Sequence, residues 1–413
     1  MKTIRINGKR LWDSLMDMAN IGATQKGGCC RLALSDLDKQ SRDLFIQWCK
    51  DIDCTVTIDH FGNIFARRLG KNNTLPPIMT GSHLDTQPTG GKFDGAYGVL
   101  SGLEVLRTLH DKQLVTDAPI EVAVWTNEEG SRFAPAMLGS GVFIEKFSLE
   151  EALKKQDVDG LLLGDELKRI AYAGDTPIGG RSIGAYFEAH IEQGPISENQ
   201  KKTIGVVTKG QGQRWYDLTI FGQESHAGTT PMHLRKDALV AAAKMIQDVQ
   251  GIAATHGPDA CGTVGFAQVY PNSRNTIAGS VKLSIDLRHP EDTTLTTLDI
   301  ALKSACETLK RDYAINYELD PYWYYPPIPF DKDCIAAIQE AADTCSYSSM
   351  PIFSGAGHDA CYLAEVTPTA MIFIPCENGI SHNEIENITQ QDSEAGCNVL
   401  LHAILKKANK VKP

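Results

Sequence analysis

An apolar strand, a glycine-rich loop, a helix and a second apolar strand follow one another between residues 77 and 126. The strands read PIMTGS at residues 77–82 and APIEVAVWT at residues 118–126, and the GVLSGLEVLRTLHDKQL between them has helical spacing. This order is a βαβ unit, which builds a sheet whose ligands sit beyond the carboxyl ends of its strands. We therefore predict an α/β fold with a mixed sheet sandwiched by helices.

The pattern changes in the middle of the chain. Residues 210–324 run strand, helix, strand, strand, helix, which suits a small α+β unit inserted into a larger domain. A length of 413 residues also fits two domains better than one. We predict a main domain formed by residues 1–209 and 325–413, and an inserted domain formed by residues 210–324.

Composition excludes several classes of partner. The chain is 42% hydrophobic and 22% charged, as ordinary globular proteins are, and its formal net charge of −11 argues against nucleic acid as a partner. The N-terminal stretch has no apolar core of signal-peptide type, and no apolar run approaches the length of a membrane span, so we expect no membrane partner. Eleven scattered cysteines without a CxxC pair favour reduced thiols and a cytoplasmic location.

Polar side chains lie at the ends of four predicted strands. Two are the strands at residues 77–82 and 118–126, and the other two are GAYFEAH at residues 184–190 and PTAMIFIP at residues 368–375. A single histidine or glutamate at a strand end is commonly a solvated loop residue. Four strand ends that all carry such residues instead indicate a divalent metal site, with glycines that let the backbone approach closely. The side chains concerned are His83, Asp85 and Asp94, then Glu128 and Glu129, then His190 and Glu192, then His382 and Glu384.

The order of motifs is specific: GSHLDT, GGKFDG, TNEEGSRF, HIEQG, SHAG, NTI, DLRHP, SGAGHDA and GISHNE. In this combination the chain resembles the dinuclear-metal amidohydrolases of the aminoacylase and carboxypeptidase-G type. Within them it is most similar to the branch of N-carbamoyl-L-amino-acid hydrolases, β-ureidopropionases and allantoate amidohydrolases. The resemblance covers residues 27–387. HIEQG is typical of this branch, because His190 stands where the peptidase branches commonly carry an acidic ligand.

The resemblance implies two divalent metal ions per subunit. Asp94 would bridge them, His83 and His190 would complete one site, and Glu129 and His382 the other. Zn²⁺ is the first expectation, with Mn²⁺, Co²⁺ and Ni²⁺ as alternatives, because all four accept imidazole and carboxylate ligands.

The resemblance also implies the catalytic groups. Glu128 would be the general base, and Asp85 would hold the His83 imidazole in the ligating tautomer, as outer partners of metal ligands do. An extended strand would turn the side chains of Glu128 and Glu129 to opposite faces, which favours two different roles.

The resemblance also implies that the inserted domain is a lid and dimerisation domain. His226 would reach the active site of the partner subunit in a homodimer and stabilise the oxyanion. Arg288 would bind the substrate carboxylate through its bidentate fork. Asn275, Gln193 and His358 would contact the ureido or carboxylate groups of a small-molecule substrate.

Several functions remain open on these grounds. The first is hydrolysis of the carbamoyl C–N bond of an N-carbamoyl-L-amino acid or N-carbamoyl-β-alanine, which yields the amino acid, carbon dioxide and ammonia. The alternative is allantoate amidohydrolase, since allantoate also presents a carboxylate and ureido groups. QPTGG at residues 87–91 and WYYPP at residues 323–327 resemble the carbamoylase side. HIEQG disfavours a dipeptidase or aminoacylase, and a non-catalytic binder would have lost ligands that this chain retains.

Overall fold

The computed structural model describes residues 4–409, which divide into two compact units. The first unit holds the chain up to Thr208 and from Pro329 onward, and the second is Lys209–Ile328. The strands in chain order are β1 (Thr55–Ile58), β2 (Ile64–Arg68), β3 (Ile78–His83), β4 (Ile120–Trp125), β5 (Ala185–Ile191), β6 (Ile204–Gly210), β7 (Gly212–Phe221), β8 (Ser225–His226), β9 (Cys261–Tyr270), β10 (Thr276–Ile277), β11 (Ser280–His289), β12 (Asn316–Tyr325), β13 (Ile328–Pro329), β14 (Ser349–Ser354) and β15 (Thr369–Ile374).

The helices flank these strands in sequence. In chain order they are α1 (Gly8–Asn20), α2 (Asp36–Lys50), α3 (Ala96–Asp111), α4 (Leu138–Phe143), α5 (Leu149–Leu153), α6 (Leu163–Arg169), α7 (Ile196–Asn199), α8 (Ala238–Ala254), α9 (Asp292–Asp312), α10 (Lys332–Cys345), α11 (Asp359–Leu363) and α12 (Gln390–Ala408). Among residues 4–409, none of them is both long enough and apolar enough to cross a membrane.

A mixed sheet forms the centre of the first unit. Within the described residues it has nine strands in the order β1-β2-β4-β3-β5-β15-β6-β13, with β14 beside β6. β3 pairs in parallel with β4 and β5, and β15 pairs in parallel with β5. The predicted mixed α/β fold is confirmed, and the carboxyl ends of these four strands lie at one edge of the sheet.

Burial explains the arrangement of the central strands. Every residue of β3, β4, β5 and β15 is buried, so these segments read as nearly continuous apolar runs. Helices α3, α10 and α12 pack on the sheet, α1 packs against α3 and α12, and α11 contacts β5 and β15. The polar residues that follow the strands therefore project from a rigid frame.

The second unit has its own antiparallel sheet, in the order β12-β7-β11-β9. Alternate residues of β11 are buried, which turns one face of the sheet to an apolar core that it shares with α8 and α9. The short strands β8 and β10 form a separate two-stranded ribbon that pairs His226 with Thr276.

Candidate metal centre

Five side chains come together at the carboxyl edge of the first unit's sheet, in two overlapping groups that share Asp94. His83, Asp94 and His190 form one group, and Asp94, Glu129 and His382 form the other. Within each group the potential ligand atoms lie within 4.8 Å of one another. The structure thus brings together all five side chains that the sequence analysis expected to hold metal ions.

Asp94 presents a different oxygen to each group. Its Oδ1 lies 3.2 Å from His190 Nε2 and 3.6 Å from His83 Nε2, whereas its Oδ2 lies 3.3 Å from His382 Nε2. Glu129 Oε2 lies 3.5 Å from His382 Nε2 on the second side. A carboxylate placed in this way can bridge two cations.

Main-chain oxygens orient two of the imidazoles. His83 Nδ1 lies 2.9 Å from the Asp85 carbonyl oxygen, and His190 Nδ1 lies 2.9 Å from the Ile191 carbonyl oxygen. Because a carbonyl only accepts, each Nδ1 carries a proton, and Nε2 is the ring nitrogen that faces Asp94. Gly95 (φ +65°) leaves the space for the His83 ring, since a Cβ there would lie 2.4 Å from ring atoms.

Asp85 contacts the His83 imidazole through its main chain and not through its side chain. The main-chain carbonyl of Asp85 makes this contact, while its carboxylate accepts the N–H groups of Glu128 and Glu129, each at 3.2 Å. Asp85 lies two residues after His83, and its carbonyl oxygen already contacts His83 Nδ1. The Asp85 carboxylate is therefore available to bind the main-chain N–H groups of the turn after β4. Asp85 therefore orients His83 and also positions the two glutamates.

Glu128 and Glu129 face different partners. Glu129 accepts hydrogen bonds from the main-chain and side-chain nitrogens of Gln87, at 3.1 and 2.7 Å, and burial raises its pKa to about 7. Glu128 belongs to neither ligand group, yet its Oε2 lies 3.4 Å from His83 Nε2. Burial raises the pKa of Glu128 well above its usual range.

The charge balance of the cluster fits divalent cations. Among the described residues, the bonding partners of Asp94, Glu128 and Glu129 are imidazoles, amides and a hydroxyl, with no lysine or arginine. Buried carboxylates without a cation are costly. Burial opposes ionisation of Asp94, but hydrogen bonds from the three imidazoles hold its pKa well below the usual range. The mixed nitrogen and oxygen donors suit a borderline divalent ion.

Two further expected residues lie beside the cluster. Gln193 donates from Nε2 to Asp94 Oδ2 at 2.8 Å, and its Oε1 has no partner among residues 4–409. The ring centroid of His358 lies 4.4 Å from that of His190, and its Nε2 likewise lacks a partner in the described chain. Burial lowers the pKa of His358 well below its usual range, so its imidazole is neutral.

His226 lies in the second unit, at the end of β8, and is exposed. Its Nδ1 accepts the main-chain N–H groups of Gly228 and Thr229, at 3.0 and 3.2 Å. Since Nδ1 is the acceptor, a neutral imidazole carries its proton on Nε2. His226 therefore presents an N–H donor to its surroundings.

Asn275 and Arg288 also belong to the second unit. The Asn275 main-chain oxygen accepts from Ala227 N at 2.9 Å, which fixes Asn275 beside the His226 ribbon. Arg288, near the end of β11, binds the Asp286 carboxylate through Nε at 2.9 Å and Nη2 at 2.8 Å. The Asp286 carboxylate thus occupies the same guanidinium N–H groups of Arg288 that a substrate carboxylate would use.

Two residues beside the cluster were not predicted from the sequence, and two polar residues expected near it make other contacts. Glu386 and Ser381 contact the Asp94 loop. Ser381 is the serine of GISHNE and Glu386 lies two residues beyond this motif, but neither residue type indicated a role of its own. Glu192 accepts the N–H groups of Ile196 and Ser197, both at 2.7 Å, and so caps α7. Glu384 pairs with Lys26 at 3.4 Å.

The chain is similar over nearly its whole length to known proteins. The chain is 45% identical over 408 residues to an N-carbamoyl-L-amino-acid amidohydrolase of Rhizobium meliloti, which covers 99% of this chain and 98% of that protein. It is 32% identical over 401 residues to an allantoate amidohydrolase of Bacillus subtilis, covering 95% of each. The crystal structure of an amidase of the hydantoinase/carbamoylase family from Burkholderia multivorans superposes with a TM-score of 0.94 at 56% identity, covering 99% of this chain and 100% of that one. A sequence model of Peptidase family M20/M25/M40 matches residues 79–406, and the protein therefore belongs to that family.

Proposed function

We propose that the protein is a metal-dependent hydrolase that cleaves the carbamoyl C–N bond of N-carbamoyl-L-amino acids. The observation that carries this proposal is the pair of ligand groups that share Asp94, with Glu128 beside them. The similarity to the Rhizobium meliloti protein supports the carbamoyl substrate class. N-carbamoyl-β-alanine is the closest variant of this substrate, and allantoate is the second candidate because a more distant relative carries that activity in its name.

His83, Asp94 and His190 would hold one divalent ion, and Asp94, Glu129 and His382 the other. Such a pair supplies Lewis-acid polarisation of the carbamoyl carbonyl and acidifies water from a pKa of about 15.7 toward roughly 7. Zn²⁺ is our first assignment. The eleven cysteines, all free, support a cytoplasmic location.

Glu128 is proposed to move the proton. Its Oε2 faces the cluster at 3.4 Å from His83 Nε2, where it can take a proton from the attacking water. It then returns that proton to the amino-acid nitrogen as the C–N bond breaks. The carbamate released by this step falls apart to carbon dioxide and ammonia, which completes the balance of the reaction.

His226 is proposed to donate from Nε2 to the oxyanion, in the active site of a partner subunit. Its local hydrogen bonds support this role, because they leave Nε2–H as the outward group. The surface of the second unit supports a homodimer: Leu239, Val240 and Ile246 on α8 are 47%, 51% and 42% exposed. Beside them, β9 pairs only with β11 within the described residues, which leaves one strand edge open for a second copy.

The remaining assignments concern substrate recognition. We propose that Arg288 binds the substrate carboxylate, which replaces the Asp286 carboxylate as its partner. Asn275, His358 and Gln193 would contact the ureido or carboxylate groups. The partnerless Oε1 of Gln193 suits a ureido N–H donor.

A substrate panel tests the proposed function directly. We expect the highest kcat/KM for an N-carbamoyl-L-α-amino acid, a lower value for N-carbamoyl-β-alanine and the lowest for allantoate, with all activity lost on chelation and restored by Zn²⁺. Ammonia release, measured for each substrate at equal enzyme concentration, decides the order. A clear preference for allantoate would replace our assignment by the second candidate, and chelator-resistant turnover would contradict the metal centre.

Replacing Arg288 by alanine should raise KM for carboxylate substrates at least tenfold, because a charge-assisted hydrogen bond contributes roughly 1.5–3 kcal/mol. Lysine should restore binding only in part, since it lacks the planar fork. Arg311→Ala serves as the control, because Arg311 lies at the exposed end of α9 and pairs with Asp312. Equal KM values for Arg288→Ala and wild type would contradict this role. So would an equal rise in KM for a substrate whose carboxylate is converted to an amide.

A further inference from the structure

Glu386 joins the two loops that carry Asp94 and His382. Its Oε1 accepts the main-chain N–H groups of Phe93 and Asp94, both at 3.1 Å, and its Oε2 accepts the Ser381 hydroxyl at 2.8 Å. The side chain is buried, with only 1% of the residue exposed. Its carboxylate therefore uses both oxygens to tie a ligand-bearing loop to its neighbour.

The contact continues from Ser381 to the Asp94 side chain. Ser381 has one hydroxyl hydrogen, and the 2.8 Å contact to Glu386 uses it in preference to the 3.4 Å contact to Asp94 Oδ2. The Ser381 oxygen is then free to accept from Gln193 Nε2 at 3.2 Å, and the same nitrogen donates to Asp94 Oδ2 at 2.8 Å. Glu386 thus sets the direction of a chain of hydrogen bonds that ends on Asp94.

The glycine at position 91 independently points to the same residue. A Cβ on Gly91 would lie 2.0 Å from Glu386 Oε1, so a side chain there would displace the carboxylate from the Phe93 and Asp94 amides. Gly91 does not have a positive φ, and the restriction on this position is therefore space and not backbone conformation. The loop before Asp94 is built around the Glu386 carboxylate.

We infer that Glu386 is a positioning residue that holds Asp94 in its bridging orientation. It fixes the Asp94 main chain directly and the Asp94 side chain through Ser381 and Gln193. This inference rests on the proposed metal centre, to which Glu386 itself contributes no ligand atom. Partners of this kind typically change metal affinity or activity by about 10–100-fold when they are replaced.

The test measures binding of Co²⁺ alone, by competition with a chelator and by the visible absorption of the bound ion. Glu386→Ala should weaken binding of at least one Co²⁺ by about 10–100-fold and change the spectrum. Glu386→Gln should recover most of the affinity, because its amide oxygen can still accept both N–H groups. Gly91→Ala, which leaves Glu386 in place but displaces its carboxylate, should resemble Glu386→Ala.

Glu377→Gln is the matched control, since the Glu377 side chain accepts only from Asn387 in the described structure. It should bind Co²⁺ as wild type does. Wild-type affinity and spectrum in Glu386→Ala would overturn the inference, as would a lower melting temperature of the metal-free variant with no change in Co²⁺ binding. If wild type itself binds no Co²⁺, the proposed metal centre fails, and the role of Glu386 fails with it.

Discussion

Replacing Glu128 by glutamine should lower kcat by about 10²–10⁴-fold and leave the fold and metal content unchanged. The amide has the shape of the carboxylate and can accept a hydrogen bond, but it cannot take a proton from water. Glu128 lies outside both ligand groups, although its Oε2 is only 3.4 Å from His83 Nε2. Turnover and metal content per subunit, measured on the same sample, separate the loss of a base from the loss of a ligand.

The neighbouring residue provides the comparison for this result. Glu129→Gln is the same chemical change one position later, in a side chain grouped with Asp94 and His382. We expect it to reduce metal content, and high metal concentrations should restore part of its activity. Glu128→Gln should not respond to added metal. Full metal content with a rate within a few-fold of wild type would contradict Glu128 as the base.

The strand pattern predicted that nine polar side chains lie near one edge of the sheet, and the family resemblance selected five of them as metal ligands. The carboxyl ends of parallel strands meet at one edge, so residues at or beyond the ends of β3, β4, β5 and β15 converge although they lie far apart in the sequence. Glu128 and Glu129 do not lie on an extended strand, as the sequence pattern had suggested. β4 ends at Trp125, and Asn127 has φ +58°, so a turn and not strand alternation sends the two carboxylates in different directions.

Most of the contacts that orient the candidate ligands could not be predicted from the sequence. Glu386 bonds to the Asp94 amide across 292 positions, and no periodicity or motif spacing links the two. Asp85 was expected beside His83, but its residue type does not decide whether the carbonyl or the carboxylate makes the contact. That choice depends on where Glu128 N and Glu129 N point after the turn. Such details follow from loop geometry and not from residue type.

The second large effect concerns His226, which we propose to act across a homodimer. His226→Ala and Glu128→Gln should each be almost inactive alone, yet a mixture that exchanges subunits should recover activity. In a mixed dimer, one site would lack both groups, and the other would combine the intact Glu128 of one chain with the intact His226 of its partner. Equal amounts with random exchange give about one quarter of the wild-type activity, because half of the dimers are mixed and each has one intact site.

The size of the recovery distinguishes this arrangement from its alternatives. If His226 served its own chain, every site in the mixture would lack one group, and the mixture would stay inactive however fully the subunits exchanged. Subunit exchange is followed independently with a tag on one variant. A mixture of Arg311→Ala with Glu128→Gln measures the activity that remains when active subunits are only diluted by inactive ones. An inactive mixture with complete exchange would rule out action across the dimer. A protein that sediments as a monomer at assay concentration, with full activity, would do the same, because no partner would be present to supply Nε2–H.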